Sequence, residues 1–106
     1  MMSVLMEFSM FPTDKGESVS AYVGRILTFI DGSGASYRLT PMGTIVETET
    51  LDEALRILSE AHKRLDPDCN RVYASVKLDM RKGRKDGLTQ KIESVEKRAG
   101  RKLKGS

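Results

Sequence analysis

Residues 3–11, SVLMEFSMF, alternate: Val4, Met6, Phe8 and Met10 share one side of an extended chain, and Leu5, Glu7, Ser9 and Phe11 share the other. The first set is purely apolar and predicts a strand face packed under helices. The second mixes apolar and polar groups, as a face that meets a ligand or a partner does. Pro12 to Gly16 reads as a loop. Ser18 is then placed to cap a helix that carries Val19, Tyr22, Val23, Ile26, Leu27 and Ile30 at i, i+3, i+4 spacing. Gly32 and Gly34 end it, because glycine takes left-handed angles without a Cβ clash.

Two short strands follow, about Ser36 to Thr40 and Thr44 to Glu49. Thr40-Pro41-Met42-Gly43 between them fits a type I turn followed by a glycine bulge, with proline fixing φ at the second position. A two-residue Met-Gly turn is the alternative, and it changes which side chains of the two strands share a face. Thr50-Leu51-Asp52-Glu53 is a capping box opening a second helix, with Leu51, Ala54, Leu55, Leu58, Ala61 and Leu65 as its apolar stripe and Asp66-Pro67 as its stop. Arg71 to Met80 alternates again, Val72, Ala74, Val76, Leu78 and Met80 against Tyr73, Ser75, Lys77 and Asp79. Thr89 is placed to cap a short third helix with Ile92 and Val95 on its apolar edge.

The order β-α-β-β-α-β with two right-handed crossovers gives a ferredoxin-like α+β sandwich: a four-stranded antiparallel sheet with helices on one face, plus a short C-terminal helix. The first and third strands are central. The other face is bare and exposes Leu5, Phe11 and Tyr73, so a second copy is expected to cover it. One domain spans residues 1–99, and residues 100–106 form a basic tail.

Composition adds limits. With 106 residues, 39% hydrophobic and 31% charged, the chain suits one modest core. A single cysteine, Cys69, cannot form an internal disulfide, which fits a reducing cytoplasm, and no segment reads as a signal peptide or a membrane span. Residues 1–80 carry 8 Lys/Arg against 12 Asp/Glu, whereas residues 81–106 carry 10 against 3. That basic end attracts anions in principle, but it contains no aromatic residue on which bases could stack, so nucleic acid is not the expected partner.

Catalytic equipment is sparse. His62 is the sole histidine, beside Lys63 and Arg64, and reads as a surface residue. Cys69 has no histidine or second cysteine near it in sequence and reads as an idle thiol; ligands for a zinc site are lacking. Gly32-Ser33-Gly34 follows a helix rather than opening one, so it is no phosphate loop. Neither an enzyme nor a metal or cofactor is expected. The informative residues are Glu7 and Ser9, polar groups on a central strand. One reading pairs Glu7 with Lys77 across strands; the other has Glu7 bind an amino-substituted heterocycle or a cation, with Tyr37 or Tyr73 offering a ring face. Thr40, Thr44 and Glu47 around the hairpin complete the candidate ligand-binding set of Glu7, Ser9, Tyr37, Thr40, Thr44 and Glu47.

Several segments resemble one family. Met6-Glu7-Phe8-Ser9, Ser18 to Val23, and above all Tyr37 to Glu47 with its Thr-Pro-Met-Gly-Thr core are similar to the thiamine-binding protein family. So are Glu60-Ala61-His62, Val76 to Asp79, and Leu88-Thr89 through Ser94-Val95-Glu96. The resemblance runs in order across nearly the whole chain. It implies a ferredoxin-like fold, homodimers or homotetramers built by sheet-to-sheet packing, and thiamine or its hydroxymethylpyrimidine part bound between subunits. The basic insert Arg81 to Lys85 and the tail depart from the family pattern. A rival reading makes the sheet face a pure assembly surface and the basic end a dock for an acidic partner.

Overall fold

The computed structural model describes residues 2–104; Met1, at the start of the expected domain, and Gly105 and Ser106, at the end of the expected tail, lie outside the described residues. Seven elements follow in order: β1 (Met2–Pro12), α1 (Ser20–Gly32), β2 (Ser36–Thr40), β3 (Gly43–Thr48), α2 (Leu51–Lys63), β4 (Val72–Lys82) and α3 (Gly87–Ala99). The strands form one antiparallel sheet in the order β2-β3-β1-β4, with β1 and β3 central, which is the ferredoxin-like arrangement.

The apolar row of β1 makes the core. Val4, Met6, Phe8 and Met10 are buried against Ile26 and Ile30 of α1 and Ala54, Ile57 and Ala61 of α2. The stripe on α2 sits slightly to one side of the predicted one: Ile57 is buried, whereas Leu55 is 42% exposed. At the start of α2 the Thr50 hydroxyl accepts the Glu53 amide at 3.1 Å, as a capping threonine should.

Two other predicted caps are replaced. Val19, not Ser18, stands at the α1 N-cap, and its carbonyl accepts the Tyr22 and Val23 amides. Ser18 therefore lies one residue outside capping position. At α3 the N-cap is Asp86, in the left-handed region at φ 55°, and Thr89 instead donates its hydroxyl to the Asp86 carbonyl at 3.3 Å. A short polar side chain tolerates that conformation better than most.

The hairpin also differs from both sequence readings. Thr40 pairs with Gly43, leaving the two-residue loop Pro41-Met42, and Gly43 is not among the left-handed glycines. The Thr40 hydroxyl ties the turn, donating to the Gly43 carbonyl and accepting the Met42 and Gly43 amides. Glycine is needed for proximity: a Cβ at position 43 would lie 2.9 Å from the Phe8 carbonyl oxygen.

On β4 the apolar row faces the helix side as predicted, yet it stays open. Helices α1 and α2 pack over β1 and β3, so Val76 and Leu78 remain 37% exposed and Met80 51%.

Candidate functional site

Antiparallel partners share a face, so the register sorts the six candidate residues. Glu7 and Ser9 of β1, Thr40 of β2 and Glu47 of β3 lie on the bare face. Tyr37, opposite Val46, and Thr44, opposite Phe8, lie on the helix face. Tyr37 donates its hydroxyl to Asp31 at 2.7 Å, a bond that holds its proton and raises its pKa. That places its ring away from Glu7.

Glu7 and Lys77 are directly opposed, with Nζ and Oε1 4.0 Å apart and both side chains in water. Such a pair is weak, and the Glu7 carboxylate remains accessible. Glu47 is differently occupied. Its Oε2 accepts the Ser3 hydroxyl at 2.5 Å and the Gly87 amide at 2.8 Å, and its Oε1 accepts the Leu88 amide at 3.3 Å. Burial pushes its pKa up, but the Ser3, Gly87 and Leu88 hydrogen bonds and the nearby Arg84 outweigh that, and the net shift is downward.

Arg84, from the basic insert, closes this cluster. Buried beneath the start of α3, it donates Nε to the Ser3 hydroxyl, Nη1 to the Asp79 carboxylate, and Nη2 to the Ser3 and Asp79 carbonyls. Part of the insert is thus structural. These contacts anchor α3 at one end of the bare face, and they join residues too distant in sequence for any spacing rule to reveal.

Ser9, Thr40 and Thr44 come together at the opposite end of the sheet. There a cavity of about 360 Å³ opens between α1 and the β2–β3 turn. Phe8, Phe11, Val23 and Leu27 supply apolar wall, while Leu39 and Met42, 61% and 86% exposed, also line it. A mainly apolar cavity of this size with a few polar groups is the usual form of a small-molecule site. A larger cleft of about 1370 Å³ beside the Arg84 cluster is wide and lined by charges of both signs, including Glu49, Glu53 and Lys85, and lacks that character.

The cavity exists because two ladders end at different places. β1 pairs with β4 as far as Pro12, but with β3 only as far as Phe8 opposite Thr44. Along Ser9 to Phe11 the β1 edge facing the hairpin therefore has no strand beside it. Peptide groups on that edge point toward the cavity, since an antiparallel strand directs alternate residues to its two sides. Val19, Val23 and Leu27 belong to the apolar stripe that the spacing predicts; their half-burial on the helix above a sheet gap is what makes them wall.

Other reactive groups are ordinary. His62 is exposed, 3.9 Å from Asp66, and the buried Cys69 thiol has its pKa raised chiefly by burial. Among the described residues no cluster of His, Cys, Asp and Glu could hold a metal, and no helix is long and apolar enough to cross a membrane.

Comparison with known proteins shows one consistent kinship. A family model described as thiamine-binding protein matches residues 6–96. A UPF0045 protein of Methanocaldococcus jannaschii is 34% identical over 95 residues, covering 90% of this chain and 94% of its own. The UPF0045 protein YqgV of Bacillus subtilis is 35% identical over 85 residues, covering 76% and 81%. A crystal structure of a hypothetical protein from Methanocaldococcus jannaschii superposes with a TM-score of 0.79 at 34% identity, over 90% of this chain and 97% of that one. A Thermotoga maritima structure repeats the fold at 19% identity, with a TM-score of 0.76 over 88% and 98% of the two chains.

Proposed function

The chain belongs to the thiamine-binding protein family, and from that premise we propose that it binds thiamine or its hydroxymethylpyrimidine part, unchanged, in the cavity between α1 and the β2–β3 turn. The observation that carries this reading is the unpaired β1 edge along Ser9 to Phe11. An aminopyrimidine presents an amine donor beside ring-nitrogen acceptors, a pattern that peptide N–H and C=O groups of a strand edge complement. Phe8 and Phe11 give the ring apolar surface, and the Thr44 hydroxyl adds a polar contact at the wall. The thiazolium is a cation and belongs at the open side, nearest Glu7. The Glu7 Cγ lies 3.9 Å from where a Cβ on Gly43 would stand, so no side chain of residue 43 intervenes.

Calorimetric titration with thiamine, hydroxymethylpyrimidine and the free thiazole tests this. Both pyrimidine compounds should bind and the thiazole alone should not. Thr44→Val should weaken both, whereas Glu7→Gln should weaken thiamine selectively. Absence of heat and of any thermal shift at millimolar pyrimidine would overturn the reading.

A second role is supported by the bare face. Phe11 and Tyr73 meet there with their rings tilted by 43° and centroids 5.9 Å apart, and Tyr73 is largely open to water. Burial of such a pair favours self-association through this face. Light scattering of Tyr73→Glu against the unmodified chain measures it, and identical masses would rule it out.

A further inference from the structure

The β2–β3 turn carries apolar side chains where polar ones are usual. Two-residue hairpin loops ordinarily hold Asn, Asp or Gly, which accept positive φ. Here Pro41 and Met42 occupy the loop, and neither they nor Gly43 has positive φ. Met42 is 86% exposed, and Leu39, on the helix face of the edge strand β2, is 61% exposed. Both line the cavity beside α1, together with Pro41. Single apolar residues scattered over a surface are ordinary, but three from one turn at the rim of one cavity belong together. A break with local turn chemistry is expected where a segment serves function.

The backbone beneath these side chains is held down. The Thr40 hydroxyl donates to the Gly43 carbonyl at 2.8 Å and accepts the Gly43 amide at 3.1 Å and the Met42 amide at 3.3 Å. Gly43 also lies so close to β1 that a Cβ there would stand 2.9 Å from the Phe8 carbonyl oxygen. A pinned loop leaves side-chain rotation as its freedom. Met42 has the most of it, being unbranched with a polarizable, apolar thioether, whereas Leu39 is branched and Pro41 is a closed ring.

Phe8 and Phe11 of β1 and Val23 and Leu27 of α1 supply the rest of the apolar wall. A flat ring lying on that wall keeps one face toward the open mouth. On the reading that a pyrimidine occupies the cavity, we propose that the Met42 side chain swings over the mouth and caps this outer face. Sulfur beside a ring is a favourable contact, and the terminal methyl excludes water from it. Exposed side chains change rotamer in picoseconds to nanoseconds, so the cap does not slow entry and acts on departure.

Hydroxymethylpyrimidine titrated into the full chain with isotope-labelled methionine methyl groups tests the cap. The Met42 methyl should move upfield, as a methyl over an aromatic ring does, while Met2 and Met80, at the other end of the sheet, stay still. In stopped flow, Met42→Ala should release the pyrimidine about tenfold faster, with association changed by less than about twofold. Met42→Leu keeps an apolar cap and should stay within about threefold of the unmodified chain. Because Met42 is exposed, neither substitution should move the unfolding midpoint of the ligand-free protein, so altered release is not a damaged fold. Saturable binding with an unmoved Met42 methyl, or with unchanged release from Met42→Ala, would overturn the cap and leave the pyrimidine reading standing. No binding by the unmodified chain would remove that reading, and the cap with it.

Discussion

The Glu47 carboxylate stands at the start of α3 and accepts the Gly87 amide at 2.8 Å, joining residues 40 positions apart. A helix beginning has amide donors without intrahelical partners and a partial positive charge, so a carboxylate from β3 serves where a local cap would otherwise sit. Local capping is absent, because Asp86 makes no side-chain cap bond.

Glu47→Gln should therefore loosen α3 while leaving the sheet intact. Losing charge-assisted bonds of this kind costs about 1–2 kcal/mol. Amide exchange should quicken in α3 and not in β1. The pH dependence has a definite sign: the folded-state pKa is lowered, so the contribution is complete above the ordinary carboxylate value, about 4.3. It is lost as pH falls below that, through the lowered value. Acid titration followed by helix content should show α3 releasing early in the unmodified chain, and no such phase in Glu47→Gln.

Gly43→Ala and Gly24→Ala should act in opposite directions. A methyl at 43 meets the Phe8 carbonyl at 2.9 Å, and forcing backbone apart there should cost about 1–3 kcal/mol and deform the cavity. Gly24 lies inside α1 with nothing within 4 Å of an added Cβ. Alanine there should stabilise by about 0.5–1 kcal/mol. Denaturant midpoints of the two variants give the comparison directly.

Much of the fold is legible because the helix-facing row of β1, Val4, Met6, Phe8 and Met10, is wholly apolar and α1 and α2 carry clear apolar stripes. What escaped was whatever depends on register or on distant partners. The sequence leaves the turn open to two registers and so cannot separate Tyr37 from Glu7; pairing Thr40 with Gly43 sends Tyr37 and Thr44 to the helix face. Ser3, Glu47, Arg84 and Gly87 form one cluster from three separated segments, so no local pattern announces it. The cavity itself arises from a difference in ladder lengths, which hydrophobic periodicity does not encode.

The stripe on α2 offers a further test. Leu55 and Ile57 are equally apolar, and only packing distinguishes them. Ile57→Ala should cost about 2–4 kcal/mol, because it leaves a void beside Ala54 and Ala61. Leu55→Ala should change stability by about 0.5 kcal/mol or less. Equal losses in urea unfolding would contradict the helix orientation.

Amide chemical shifts recorded while hydroxymethylpyrimidine is added to the labelled full chain test the central claim most directly. The unpaired β1 edge and the turn should respond together, at Ser9 to Phe11 and Leu39 to Thr44, with Val23 and Leu27 following on α1. Glu47, Gly87 and Leu88, held in their own cluster at the other end of the sheet, should stay still. Saturable shifts confined to the first group would bear out a pyrimidine site between α1 and the hairpin. Shifts centred on the Glu47–Gly87 end, or none at saturating pyrimidine, would contradict it.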